Sequence, residues 1–177
     1  MDWTDRGTCV LFGDGAGAVV LEPVEGKGTT ADRGLLGFAL RADGTKQELL
    51  FVDGGPSTNG QVGKLRMQGN QVFRHAVVNI SEAITSAAQD AGIEVASVDW
   101  FVPHQANLRI LQGVAKRVGI DEAKVITTLD KHANTSAASI PLALDQGVRD
   151  GRVKPGELLL LEAMGGGLTW GACVLRL

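Results

Sequence analysis

This sequence predicts an α/β fold with a mixed sheet, and three observations carry that expectation. Short apolar segments alternate with amphipathic helical ones from Val72 onward, the pattern of strands covered by helices. The last two apolar runs, Leu158 to Ala163 and Trp170 to Leu177, are joined only by Met164-Gly165-Gly166-Gly167-Leu168-Thr169. That link is too short for a right-handed crossover, so this pair must be antiparallel. The chain has 177 residues and is 44% hydrophobic, so it can bury roughly 70% of its unfolded surface as one domain.

The elements follow in order. Ala18-Val19-Val20-Leu21 reads as a buried strand, and Gly34 to Arg41 as a second strand returning beside it in a hairpin. Asp43 to Arg66 is a long irregular stretch, a length that in a compact domain marks a functional or covering loop. Val72 to Ala91 is the clearest helix, with Phe73, Ala76, Val77, Ile80, Ala83 and Ile84 recurring at three-to-four spacing. Asn70 is placed to cap its start and Gly92 to close its end. Val98 to Val102 is a short strand ending at Pro103-His104. A helix from Ala106 to Val118 follows, closed by Gly119. Val125 to Thr127 reads as a strand. Ser136 to Arg149 reads as a helix that tolerates Pro141 in its first turns.

Composition narrows the function. The net charge is -3, which argues against a nucleic-acid partner. Two cysteines cannot form a disulfide framework, and His75, His104 and His132 lack metal-ligand spacing, so no metal is expected. No apolar run approaches the ~18 residues of a membrane span. Met1-Asp2-Trp3-Thr4-Asp5-Arg6 lacks the apolar core of a signal peptide, so a cytoplasmic protein without a membrane partner is expected. The run Gly13-Asp14-Gly15-Ala16-Gly17 lacks the spacing of a dinucleotide-binding loop and precedes a strand-like segment rather than a helix.

Ligands in open α/β sheets sit beyond the carboxyl ends of parallel strands. Three segments fall there: Pro103-His104-Gln105-Ala106-Asn107, Lys131-His132-Ala133-Asn134-Thr135-Ser136, and Gly165-Gly166-Gly167. Singly, His104 reads as a structural residue, Asn134 as a helix cap and the glycines as a tight turn. Together they set an imidazole, a carboxamide and a bare backbone loop at neighbouring strand ends. Two donors aimed at one carbonyl oxygen would stabilise an enolate forming there.

Four strings carry a resemblance that runs nearly end to end: Phe12-Gly13-Asp14-Gly15-Ala16-Gly17-Ala18, Pro103-His104-Gln105-Ala106-Asn107, Asn134-Thr135-Ser136-Ala137-Ala138-Ser139-Ile140-Pro141, and Gly165-Gly166-Gly167-Leu168-Thr169-Trp170-Gly171. The sequence resembles the carboxyl-terminal half of the β-ketoacyl-[acyl-carrier-protein] synthase III family. That family is thiolase-like, two similar halves packing as five α-β-α-β-α layers. The resemblance implies that residues 1–177 form the carboxyl-terminal thiolase-like domain and that the nucleophilic cysteine belongs to the other half. It implies decarboxylative Claisen condensation of acyl-CoA with malonyl-acyl carrier protein, with CoA thioester as substrate and no cofactor. His104 and Asn134 match the pair that holds the malonyl thioester oxygen. Gly166 matches the oxyanion-loop glycine. Arg6, Met67, Gly69 and Asn107 match CoA or pantetheine contacts. Met164 stands where an aromatic is expected.

Other readings of the same residues remain open here. The chain could be a non-catalytic CoA- or carrier-binding half, or belong to another acyltransferase of the thiolase superfamily. Cys9 and Cys173 sit in apolar runs and read as packing residues rather than nucleophiles. Arg109 and Lys116 fall on one helix line, and with Arg117 they form a basic stripe beside His104 that suits the anionic carrier protein. The same pattern also fits an ordinary solvated helix face. An exposed apolar surface left by a missing half implies a homodimer or poor solubility.

Overall fold

The computed structural model describes residues 1–177. Its strands are β1 (Gly34–Ala42), β2 (Leu50–Val52), β3 (Leu65–Met67), β4 (Trp100–Pro103), β5 (Leu158–Gly165) and β6 (Thr169–Arg176). Its helices are α1 (Gly69–Asp90), α2 (Leu108–Val118), α3 (Leu129–His132) and α4 (Ser139–Arg149). The main sheet runs β1-β6-β5-β4, and β2 and β3 form a separate hairpin. β4 and β5 are parallel, whereas β5–β6 and β1–β6 are antiparallel. The short Gly-rich link therefore makes the antiparallel pair its length requires.

The sheet separates two apolar layers. On one face Leu158 and Leu160 of β5 and Phe101 of β4 pack with Ile80, Ile84 and Ala87 of α1 and Ile110 and Val114 of α2. On the other, Leu159 and Val102 pack with Ile126, Ala143 and Val153 beneath α4. The uninterrupted leucines of β5 are thus explained by a central strand covered on both faces. Ala76, Ala83 and Ala87 of α1 are buried beside Ile80 and Ile84 on the face toward the sheet. Gly92 and Gly119 close α1 and α2 at φ 68° and 76°, the left-handed conformation that a Cβ disfavours.

The structure departs from the sequence-based expectation in several places. Ala18-Val19-Val20-Leu21 forms no strand, and Val20 and Leu21 are 86% and 89% exposed. Residues 14–28 exchange no backbone–backbone hydrogen bond with the rest of the chain, and a strand cannot form without a neighbour to take those bonds. β1 consequently pairs with β6 rather than with residues 18–21. Asn70 does not cap α1. The helix starts earlier because Gln68 is anchored, its N–H donating to Leu49 O and its Nε2 to Glu48 O. The stretch from Asp43 to Arg66 is not wholly irregular, since it holds a 3-10 turn (Gly44–Leu49), β2 and the start of β3. Val125 to Thr127 shrinks to one parallel bridge between Phe101 and Val125. Beyond that bridge, a glutamine side chain takes the backbone groups a strand would use. α4 is preceded by a 3-10 turn over Ser136–Ala138, so the helix proper starts at Ser139.

No helix is long and apolar enough to cross a membrane. A band of apolar side chains is exposed instead: Val19, Val20, Leu21 and Val24, with Leu35, Phe38 and Leu40 on the edge strand β1. Exposed apolar side chains and an unpaired strand edge both drive association. The chain produced alone should self-associate or precipitate in light scattering at micromolar concentration. A monodisperse monomer there would contradict this.

Candidate active site

Gln105 ties the site together. It is fully buried immediately after β4. Its Nε2 donates to Pro103 O (2.9 Å) and Ile126 O (3.1 Å), and its Oε1 accepts from Thr128 N–H (2.8 Å). One carboxamide thus joins the loop carrying His104 to the loop leading to Asn134. Each buried backbone group it satisfies would otherwise cost about 1–3 kcal/mol.

The Asn134 loop is fixed from both sides. Its backbone N–H donates to Leu11 O (3.0 Å) and its carbonyl accepts from Gly13 N–H (2.9 Å). The glycines that follow Phe12 recur at every second residue; Gly13 and Gly15 face this loop closely and Gly17 faces the first turn of α4. An added Cβ would lie 2.5 Å from His132 O at Gly13, 2.9 Å from Thr135 at Gly15 and 2.5 Å from Pro141 at Gly17. Ala133 and Ser136 flank the asparagine at φ 56° and 52°, and non-glycine residues held there cost of order 1–3 kcal/mol each. The Asn134 side chain is buried, and its Oδ1 accepts from Ser136 N–H (2.9 Å). With the carbonyl end held, the NH2 is the end free to donate.

His104 follows β4, and its N–H donates to the backbone carbonyl of Glu162 (2.8 Å). Its Nδ1 lies 2.6 Å from Ser139 Oγ at the start of α4. Burial lowers its pKa below the ordinary 6.5, so the ring is neutral at pH 7.

His104, Asn134 and Gly166 line one cavity of about 1680 Å³. The cavity runs from the β2–β3 hairpin across the end of β5 to the facing turns of α1 and α2, and Met67, Gly69, Asn107 and Arg109 also line it. Asn107 additionally caps α2, its Oδ1 accepting from Ile110 N–H (3.0 Å). Gly166 lies against β2, where a Cβ would come within 2.6 Å of Leu50 O. No backbone carbonyl of the chain accepts its N–H, which leaves it free to donate. Arg6 does not reach the cavity. Residues 5–9 close a turn, Cys9 N–H to Asp5 O at 2.9 Å, that turns Arg6 to solvent. Lys116 and Arg117 are exposed in the last turn of α2, off the cavity wall.

Neither cysteine lines the cavity, and burial pushes the Cys173 thiol above its ordinary pKa, opposite to activation. No group of three His, Cys, Asp or Glu side chains is placed to hold a metal ion.

Sequence reasoning missed Gln105, Ser139 and Glu162. Glu162 is 2% exposed on the cavity wall, neither of its carboxyl oxygens has a partner, and burial raises its pKa to about 8. Its only signal in the sequence was a charge inside the run Leu158-Leu159-Leu160-Leu161-Glu162-Ala163. Ser139 gave none beyond that of a serine near a helix start.

Known proteins resemble the chain across its length. The family model for 3-oxoacyl-[acyl-carrier-protein] synthase III C terminal matches residues 88–177, and that for 3-oxoacyl-[acyl-carrier-protein] synthase III matches residues 1–44. The chain is 79% identical over 177 residues to the beta-ketoacyl-[acyl-carrier-protein] synthase III of Caulobacter vibrioides, covering 100% of this chain and 55% of that protein. It is 61% identical over 176 residues to the protein of that name from Mesorhizobium japonicum, covering 99% and 54%. The crystal structure of 3-oxoacyl-[acyl-carrier-protein] synthase III from Aquifex aeolicus superposes with a TM-score of 0.89 at 44% identity, covering 99% of this chain and 53% of that one. The Pseudomonas aeruginosa enzyme structure gives 0.88 at 39%, covering 97% and 52%. The chain therefore spans about half the length of the relatives it matches.

Glu162 yields a pH dependence of stability. Its carboxyl loses a proton near 4.5 when unfolded and near 8 in the native chain. Between those values the native state holds the extra proton, so stability falls as pH rises through the window and levels off above it. The total is of order 5 kcal/mol. Chemical denaturation followed by fluorescence below the concentration at which the chain associates should show Glu162→Gln gaining stability relative to the parent from pH 5 to pH 8. A constant difference would contradict an uncharged native Glu162.

Proposed function

The chain belongs to the 3-oxoacyl-[acyl-carrier-protein] synthase III family, and from that premise we propose that it forms the enolate-stabilising half of a decarboxylative condensing enzyme. The observation that carries the reading is the placement of the His104 ring and the Asn134 carboxamide on one cavity, each with its other polar end already engaged. Met67, Gly69 and Asn107 line the approach and suit a pantetheine arm. Arg6, being exposed and off the cavity, could meet only the outer, phosphate-bearing end of CoA.

In this mechanism the bond from the malonyl α-carbon to its carboxylate breaks and carbon dioxide leaves. The electron pair flows toward the thioester carbonyl, whose oxygen becomes an enolate. His104 and Asn134 donate hydrogen bonds to that oxygen, strengthening as charge develops, so they act as an oxyanion hole. A neutral imidazole serves here, because decarboxylation itself generates the carbanion and no base is required. The α-carbon then attacks an acyl thioester on a cysteine, forming the new carbon–carbon bond and expelling the thiolate. Gly166 N–H, free of a backbone partner, donates to the acyl oxygen in that second step. The nucleophile comes from the part of the enzyme outside this chain, since neither Cys9 nor Cys173 reaches the cavity. The whole enzyme acts on acyl-CoA and malonyl-acyl carrier protein as a cytoplasmic homodimer.

The test uses a hybrid enzyme in which this chain replaces its counterpart in the Caulobacter vibrioides relative. His104→Ala and Asn134→Ala should each lower malonyl decarboxylation by about 100- to 1000-fold, the scale for losing one oxyanion donor. Rates within a few-fold of the parent would overturn the assignment.

The exposed cations of α2 make the docking face. Arg109 lies at the cavity mouth, and Lys116 and Arg117 continue toward the far end of the helix. Arg109→Glu with Lys116→Glu in the hybrid should raise KM for the acidic carrier substrate strongly and that for acyl-CoA less. Equal effects on both would contradict carrier docking here.

A further inference from the structure

A neutral imidazole carries its proton on either Nδ1 or Nε2, and only the nitrogen that faces the cavity can donate to a substrate oxygen. In this chain Nδ1 is turned to Ser139 Oγ at 2.6 Å, so Nε2 is the nitrogen left for the cavity. The hydroxyl's own bonding decides where the proton lies. Ser139 is 1% exposed, so bulk solvent does not reach its hydroxyl. Gln105 N–H donates to the same Oγ at 3.2 Å. His104 Nδ1 is the only acceptor within reach of the hydroxyl hydrogen. A proton on Nδ1 would present Oγ with two N–H donors and leave its own hydrogen buried without an acceptor, at a cost of about 1–3 kcal/mol.

We propose that Ser139 is the positioning residue that holds His104 as the Nε2–H tautomer, so that the ring can only donate into the cavity. This rests on the condensing-enzyme reading of the site and adds to it the device that orients the donor. The chain of bonds runs Gln105 N–H to Ser139 Oγ, then Ser139 O–H to His104 Nδ1, leaving Nε2–H free. Gln105 therefore acts twice: its side chain joins the two loops, and its backbone N–H fills one acceptor site of the serine oxygen. The same arrangement disfavours the imidazolium, since a protonated Nδ1 cannot accept from Ser139. It also keeps the ring from serving as a base toward the cavity.

The test is nitrogen-15 spectroscopy of histidine-labelled hybrid enzyme near pH 7. The expected spectrum shows His104 protonated at Nε2 and bare at Nδ1. Ser139→Ala should give a mixture of tautomers and move the acid limb of the rate profile to higher pH. It should also lower malonyl decarboxylation roughly 10- to 100-fold with KM nearly unchanged. A parent spectrum with the proton on Nδ1 overturns the proposal, and so does a Ser139→Ala variant whose spectrum, acid limb and rate are those of the parent. A hybrid that decarboxylates nothing yet shows the Nε2–H tautomer, lost on Ser139→Ala, supports the role of Ser139 and refutes only the condensing reaction.

Discussion

The three hydrogen bonds made by the Gln105 side chain are the constraint on which the site depends. Pro103 O at the end of β4 and Ile126 O and Thr128 N of the segment beside it are joined by this one side chain, adding to the Ile126 N–H bond to Phe101 O and the packing of Val102 on Ile126. The sheet alone does not fix their spacing, because β4 ends at Pro103 and its pairing to the next segment is the single Phe101–Val125 bridge. A buried amide that satisfies three backbone groups is costly to disturb, because separating the segments would leave those groups unpaired. The imidazole and carboxamide inherit their relative positions from that clamp.

Around it the chain spends conformational freedom to hold Asn134. Ala133 and Ser136 sit at positive φ on either side, and alternate glycines let residues 13–17 run against the loop closely enough to lock it. Strain of this kind persists only where the surroundings over-determine it, and it concentrates where a side chain must be aimed rather than merely buried. Glu162 fits the same pattern: an uncharged, unpartnered carboxyl beside the cavity stabilises nothing in the chain itself.

Much of this was legible in the sequence, for identifiable reasons. α1 and α2 declared themselves through periodicity and β5 and β6 as apolar runs, and Gly92 and Gly119 marked the helix ends. His104 and Gly166 follow β4 and β5 as the pattern suggested, whereas Asn134 follows no strand and shares their cavity through its loop. What stayed hidden depends on partners distant in sequence. Ala18 to Leu21 has the composition of a strand but no neighbour in this chain. Val125 to Thr127 has the composition of one too, but it keeps a single bridge to β4, and Ile126 O and the adjoining Thr128 N–H go to a glutamine side chain 21 to 23 residues away. The alternate glycines read as a loop motif and proved to be a close-packing device. Ser139 carries no local signal, because its role exists only once α4 meets the end of β4.

The proposed chemistry requires His104 and Asn134 to converge on one thioester oxygen. The most direct measurement is a crystal structure of the hybrid enzyme with a malonyl thioester analogue that cannot lose carbon dioxide. The account predicts His104 Nε2 and Asn134 Nδ2 each within about 3.2 Å of the same carbonyl oxygen, hydrogen-bond distance for such donors. An analogue bound in the cavity with its thioester oxygen in contact with only one of them, or with neither, would contradict it.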